Sequence, residues 1–117
     1  MAKTSTTTIT VEIGGDGVDQ TYEPAGSPIT NTSAPSGGPM PYVLSSGDNT
    51  ISVPSGSVGF VIVPSTASTV VKKLKGGAGD TGFTIRASAP SVVSMPNSTS
   101  SILINASAGE TVSIQWL

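Results

Sequence analysis

The apolar residues of this chain come in short runs, and within most runs they alternate with polar ones. Thr8-Ile9-Thr10-Val11-Glu12-Ile13 sets Ile9, Val11 and Ile13 on one side of an extended chain. The last seven residues, Thr111-Val112-Ser113-Ile114-Gln115-Trp116-Leu117, do the same with Val112, Ile114 and Trp116. Between them lie 50–53, Val58-Gly59-Phe60-Val61-Ile62-Val63, 69–74, Gly82-Phe83-Thr84-Ile85-Arg86-Ala87 and Ser101-Ile102-Leu103-Ile104-Asn105. A period of two, β-branched residues, and Gly, Pro or Ser every 8 to 12 residues predict antiparallel strands. No segment has a helical period; 65–75 follows Pro64 and is rich in Thr and Val, so it too is expected to be a strand. Seven or eight strands are predicted, enough for an all-β antiparallel sandwich, jelly-roll-like or Greek key.

Residues 14–41 break the pattern. They hold Pro24, Pro28, Pro35, Pro39 and Pro41, five of the nine prolines, and apart from Tyr22, Ile29 and Met40 have little to bury. A loop that long inside a compact domain is uncommon, and Pro-rich chain is already extended. The expected organisation is an N-terminal strand and Pro/Gly-rich arm over 1–41, followed by a β domain over 42–117. The first strand either joins that domain's sheet or reaches a neighbouring subunit.

Composition sharpens this reading by exclusion. Ser (19), Thr (15), Gly (14) and Pro (9) supply 57 of the 117 residues, and only 10% are charged. Disorder is not expected, because net charge is only −2 and 36% of the chain is hydrophobic. Without Cys there is no disulfide, thiolate nucleophile, zinc ribbon or iron–sulfur site. Without His, the usual general base and a common metal ligand are missing, and a Ser-His-Asp triad is impossible. No long apolar run predicts a membrane span, and Met1-Ala2-Lys3 with its Thr/Ser run lacks the apolar stretch of a secretory signal. The acidic balance does not favour nucleic acid or anionic lipid.

Few groups could carry chemistry. Glu12, Asp16, Asp19 and Glu23 gather four of the seven acids, but lack the ligand pattern of a calcium loop and are expected to form a solvated turn. Lys72, Lys73 and Lys75 hold three of the five positive charges. They are expected to guard an edge strand against aggregation or, as the functional alternative, to contact an acidic partner. Gly76-Gly77-Ala78-Gly79-Asp80-Thr81-Gly82 lacks a phosphate-loop ending and should be a tight turn, with glycines at positive φ and Asp80 capping it. Of the five aromatics, those on strand-like runs are expected in the core and not as a sugar platform. No catalytic, cofactor or metal site is expected, and the chain is not expected to be an enzyme. Candidate partner contacts are Pro24, Pro28, Pro35, Pro39, Lys72, Lys73 and Lys75.

Four segments carry a resemblance. Gly47-Asp48-Asn49-Thr50-Ile51-Ser52-Val53-Pro54, Leu74-Lys75-Gly76-Gly77-Ala78-Gly79-Asp80-Thr81-Gly82-Phe83-Thr84, Ala89-Pro90-Ser91-Val92-Val93-Ser94-Met95 and Val112-Ser113-Ile114-Gln115-Trp116-Leu117 resemble small β-sandwich structural proteins of tailed bacteriophages. The similarity covers residues 42–117 and leaves the first 41 unmatched. It implies a non-enzymatic virion protein made in the host bacterial cytoplasm, foremost a capsid decoration (cement) protein bound to the major capsid protein or other virion proteins. A homo-oligomer is expected, with a trimer favoured to match a capsid three-fold axis. The alternatives are a tail, baseplate or fibre component, or a glycan-binding adhesion module.

Overall fold

A computed structural model describes residues 3–15, 20–25, 28–35 and 37–117. Those residues form twelve strands and no helix: β1 (Lys3–Thr7), β2 (Val11–Ile13), β3 (Gln20–Tyr22), β4 (Ile29–Ala34), β5 (Met40–Leu44), β6 (Gly47–Ser52), β7 (Gly59–Val63), β8 (Lys72–Lys75), β9 (Phe83–Ile85), β10 (Ser91–Ser94), β11 (Ser101–Ala106) and β12 (Glu110–Trp116).

Eight of them make two four-stranded antiparallel sheets packed face to face, the expected β-sandwich. One sheet runs β10-β7-β12-β5 and the other β6-β11-β8-β9. The pairs β5 with β12, β6 with β11, β7 with β10 and β8 with β9 are nested about a single centre. The body is thus one long antiparallel ribbon rolled up on itself, the jelly-roll strand order.

Alternation in the sequence becomes alternation in space. Val112, Ile114 and Trp116 of β12 face inward with Phe60 and Ile62 of β7 and Leu44 of β5. Ile51, Ile85, Ile104 and Ala106 meet them from the other sheet. Trp116 sits at the aromatic end of this core, 5.6 Å from Phe60 and edge-on to Tyr42, whose hydroxyl accepts its indole N–H. Burial of each large side chain is worth about 1.5–3 kcal/mol, which makes this layer the main favourable term for the body.

The N-terminal segment differs from the expected arm. β1 pairs with β4 and β2 with β3, and neither pair joins the two sheets of the body. Strands β1 to β4 make a second antiparallel ribbon, and β5 already begins at Met40, two residues ahead of the expected domain boundary. Between Thr7↔Ile29 and Val11↔Tyr22 the register shifts by three residues, which divides the ribbon into a root and a tip. The root is fastened to the body: the Asn31 side-chain amide donates to the Gly56 carbonyl at 2.9 Å and to the Leu117 carbonyl at 3.3 Å, and Ala34 is buried. Gly56 has φ +89°, and a Cβ there would stand 2.5 Å from the Ser33 carbonyl oxygen, so β4 and this turn approach as closely as backbone allows.

The tip strands β2 and β3 pair only with each other and are exposed throughout. Ile9, Val11 and Ile13, expected on one face of a first strand, are 41%, 44% and 57% exposed, and residues 8–10 are not strand. The radius of gyration is 15.6 Å, against about 13 Å for a compact domain of this length.

Candidate interaction surfaces

The lysine cluster divides into three different environments. β8 lies between β11 and β9, so it is not the edge strand expected from its charges. Lys72 points inward and is wholly buried. Its ammonium donates to the carbonyls of Val70 (3.0 Å) and Ala87 (3.1 Å), to the Ser68 hydroxyl (3.3 Å), and to Glu110 Oε2 (2.5 Å). Glu110 opens β12 on the other sheet, so the ion pair joins the two layers. Burial pushes the Glu110 carboxyl up, but hydrogen bonds from Lys72 and Ser68 and the charge of Lys72 outweigh it and hold the group below its ordinary value. Lys72 is therefore a structural cation, out of reach of any partner.

Lys73 and Lys75 lie on the outer face of the same strand, half-buried. Lys75 is paired with Asp48 at 3.1 Å and donates to the Ala78 carbonyl. The Asn105 amide and Lys75 together hold the Asp48 carboxyl below its usual range. Among the described residues Lys73 has no ion pair. Of the candidate prolines, Pro28 and Pro39 are exposed and Pro24 and Pro35 half-buried; they punctuate the ribbon and its return to the body and converge on no common patch. Asp16 and Asp19 lie outside the described residues, while Glu12 and Glu23 are exposed.

The glycine-rich turn closes through a backbone bond from the Asp80 amide to the Gly77 carbonyl, not through the Asp80 side chain. Of its glycines only Gly82 has positive φ (+72°), and a Cβ there would stand 2.3 Å from the Leu74 carbonyl oxygen. That close approach sets β9 against β8. Phe83, expected in the core, is instead 62% exposed at the start of β9, whereas Phe60 and Trp116 are buried.

Three surface features emerge from this arrangement. The outer face of the β10-β7-β12-β5 sheet bears Val92, Val61, Val63 and Val43 among Ser113, Gln115, Thr111 and Pro41, with no charged side chain at these outward positions. Val43, Val92 and Val63 are 78%, 58% and 42% exposed. The outer face of the other sheet carries Asp48, Asn105, Lys73 and Lys75 instead. The second feature is an open cleft of about 590 Å³ between edge strands β10 and β9, walled by Leu74, Phe83, Val93, Met95 and Ile102 with Phe60 at its base. The third is the ribbon tip, where Val11 stands opposite Tyr22 and Ile13 follows on the same side, all exposed.

The sequence placed Val11 and Ile13 on one apolar side of a strand, and the structure leaves that side exposed. The cleft is not visible in the sequence, because Phe83, Met95 and Ile102 stand far apart along the chain and meet only in the assembled sandwich. Among the described residues no cluster of acidic side chains is arranged to hold a metal ion. Comparison with family models, curated proteins and solved structures found no match to the chain.

Proposed function

We propose that this chain is a non-enzymatic virion structural protein, a decoration subunit that binds the shell of a phage head through the outer face of the β10-β7-β12-β5 sheet. The observation that carries the reading is the difference between the two faces of the sandwich. One is charged and internally ion-paired; the other is a sheet of exposed valines and small uncharged side chains. A surface of hydroxyls and valines loses little on leaving water, because it contains no ion to desolvate. It suits a broad, flat contact with a shell better than a small-molecule site, which would be concave. The resemblance of residues 42–117 to phage β-sandwich proteins supplies the kind of particle, and the jelly-roll order occurs among capsid proteins as well as lectins. Fold alone does not decide between those.

The test is a titration of purified chain onto undecorated phage heads, alongside the variant Val43→Asp/Val63→Asp. Wild type is expected to bind and the variant to bind at least ten-fold more weakly, since each new carboxylate must be desolvated in the contact. Wild type that ignores heads overturns the reading, and binding to tails alone moves the chain to a tail component. Exposed Tyr22 and Phe83 bear on the glycan-binding alternative, but they stand on different elements and form no aromatic row. A glycan array with hits lost in Tyr22→Ala would favour that alternative.

A further inference from the structure

We propose that the root of the N-terminal ribbon is a latched strap over the free edge of β10, and that its release lets β10 pair edge to edge with β10 of a second copy. The two sheets of the body end in β10, β5, β6 and β9. Three of these edges carry their own obstacle to a foreign strand. β5 contains Pro41, β6 presents Asp48, and β9 is only three residues long and runs into Arg86. β10, Ser-Val-Val-Ser, has neither charge nor proline within it; Pro90 and Pro96 bracket it and leave its middle open.

The register tells which groups of β10 are on offer. Ser91 and Val93 stand opposite Ile62 and Phe60, and the Met95 amide donates to the Val58 carbonyl at 2.9 Å. Bonding sides alternate along an antiparallel strand, so the N–H and C=O of residues 91, 93 and 95 face β7 and those of Val92 and Ser94 face away. No described strand pairs with them there. In that direction stand residues 7–10, which line one groove of about 420 Å³ together with Val92, Val93 and Ser94. A further strand must lie about 4.8 Å from β10 to bond with it. A second sandwich cannot bring its own edge that close while the ribbon stands beside β10.

The strap has a latch. β1 ends with Thr7 opposite Ile29 of β4, so whatever holds β4 also holds residues 7–10 in place. β4 is held by the Asn31 amide on the carbonyls of Gly56 and Leu117. The Leu117 carbonyl also accepts from the Val58 amide, and both residues line the groove, so the latch closes on the groove it guards. A ribbon held by so few bonds opens at a lower free energy than the sandwich beneath it. The uncovered edge is self-complementary. With Val92 of one copy opposite Ser94 of the other, each such pair exchanges both backbone bonds, twice over about a two-fold axis, and two four-stranded sheets become one continuous sheet.

The test uses full-length Asn31→Asp. The change is isosteric and keeps the bond that Oδ1 accepts from the Ser33 amide at 3.0 Å, but it turns a donor to two carbonyls into a carboxylate facing them. Sedimentation velocity from about 1 to about 100 μM is expected to show self-association at least ten-fold tighter than that of wild type. Hydrogen exchange at the Val92 and Ser94 amides should slow as concentration rises, with β11 and β12 as protected as in wild type. Asn31→Ala, which removes the latch without adding charge, should act in the same direction. Val92→Lys added to Asn31→Asp sets a charge on the edge and should return self-association to the wild-type level. Association no tighter than wild type in both latch variants overturns the proposal, as does association that Val92→Lys leaves in place. Association that comes with lost protection in β11 and β12 is unfolding of the body, and overturns it too.

Discussion

The side chain that departs furthest from its residue type is Lys72. Its ammonium reaches four oxygens, from Ser68, Val70, Ala87 and Glu110, and so ties the strand it sits on to the opposite sheet and to two loops. Taking an ammonium and a carboxylate out of water costs several kcal/mol each, which makes the pair a device for holding geometry more than a source of net stability. Removing one partner is different, because the other is then left buried and unpaired. Lys72→Met is expected to lower the unfolding free energy by about 3–5 kcal/mol, and Lys72→Met/Glu110→Leu to recover most of that loss, as read from denaturant melts. The pair also fixes a pH dependence. The folded-state pKa of Glu110 lies below the ordinary 4.5, so its contribution is complete above that value and is lost as pH falls through the folded pKa. Asp48, also held low, acts in the same direction from the surface. Wild-type stability is therefore expected to fall with acidification below about pH 4.5, and the double variant to fall less steeply. Equal slopes would take the acid response away from Glu110.

At the scale of elements, the root of the ribbon depends on two small contacts. Asn31 hands both amide hydrogens to body carbonyls, and Gly56 lets the Ser33 backbone come within reach of a Cβ that is not there. Gly56→Ala is expected to push β4 off the turn and cost more than 1 kcal/mol, while Asn31→Ala should cost about 1–3 kcal/mol by leaving carbonyls unmet. Both are expected to speed hydrogen exchange in β1 and β4 while leaving β11 and β12 protected; uniform acceleration would mean that ribbon and body unfold as one unit. These contacts also mark where the sequence stops being informative. β12 was legible because its alternation coincides with burial on one face of a sheet, and β7 because it is a short continuous apolar, β-branched run. β10 was not among the predicted runs: Ser-Val-Val-Ser is short and does not alternate, and its partner β7 lies about 30 residues earlier. β4, Ile-Thr-Asn-Thr-Ser-Ala, has almost no apolar pattern; pairing with β1 and the Asn31 anchor make it a strand. Lys72 reads as a surface charge until Glu110, 38 residues later, is brought over it by the roll of the sheets. Local pattern finds strands whose order is local, and misses those imposed by distant partners.

Taken as a whole, the molecule keeps its proposed shell contact and its proposed strap on separate residues: the valine face of one sheet for a shell, the ribbon root and its Asn31 latch for the edge of β10. Substitution on the exposed face should leave the fold intact, with a stability change of about 0.5 kcal/mol or less for Val43→Asp. Effects on shell binding should differ in form. Val43→Asp/Val63→Asp weakens the contact each copy makes, so its deficit persists however dilute the chain. Asn31→Asp leaves that contact unchanged and acts only by letting copies join through β10. Its binding is expected to match wild type below the concentration at which the variant self-associates and to depart from it above, and a titration onto undecorated heads at two concentrations a hundred-fold apart reads this directly. Because the two sets of residues share no partner, the triple variant measured at the low concentration should bind no worse than Val43→Asp/Val63→Asp alone. An Asn31→Asp deficit that stays the same at both concentrations would place the ribbon itself on the shell, and would reassign it from guarding an edge to joining the particle.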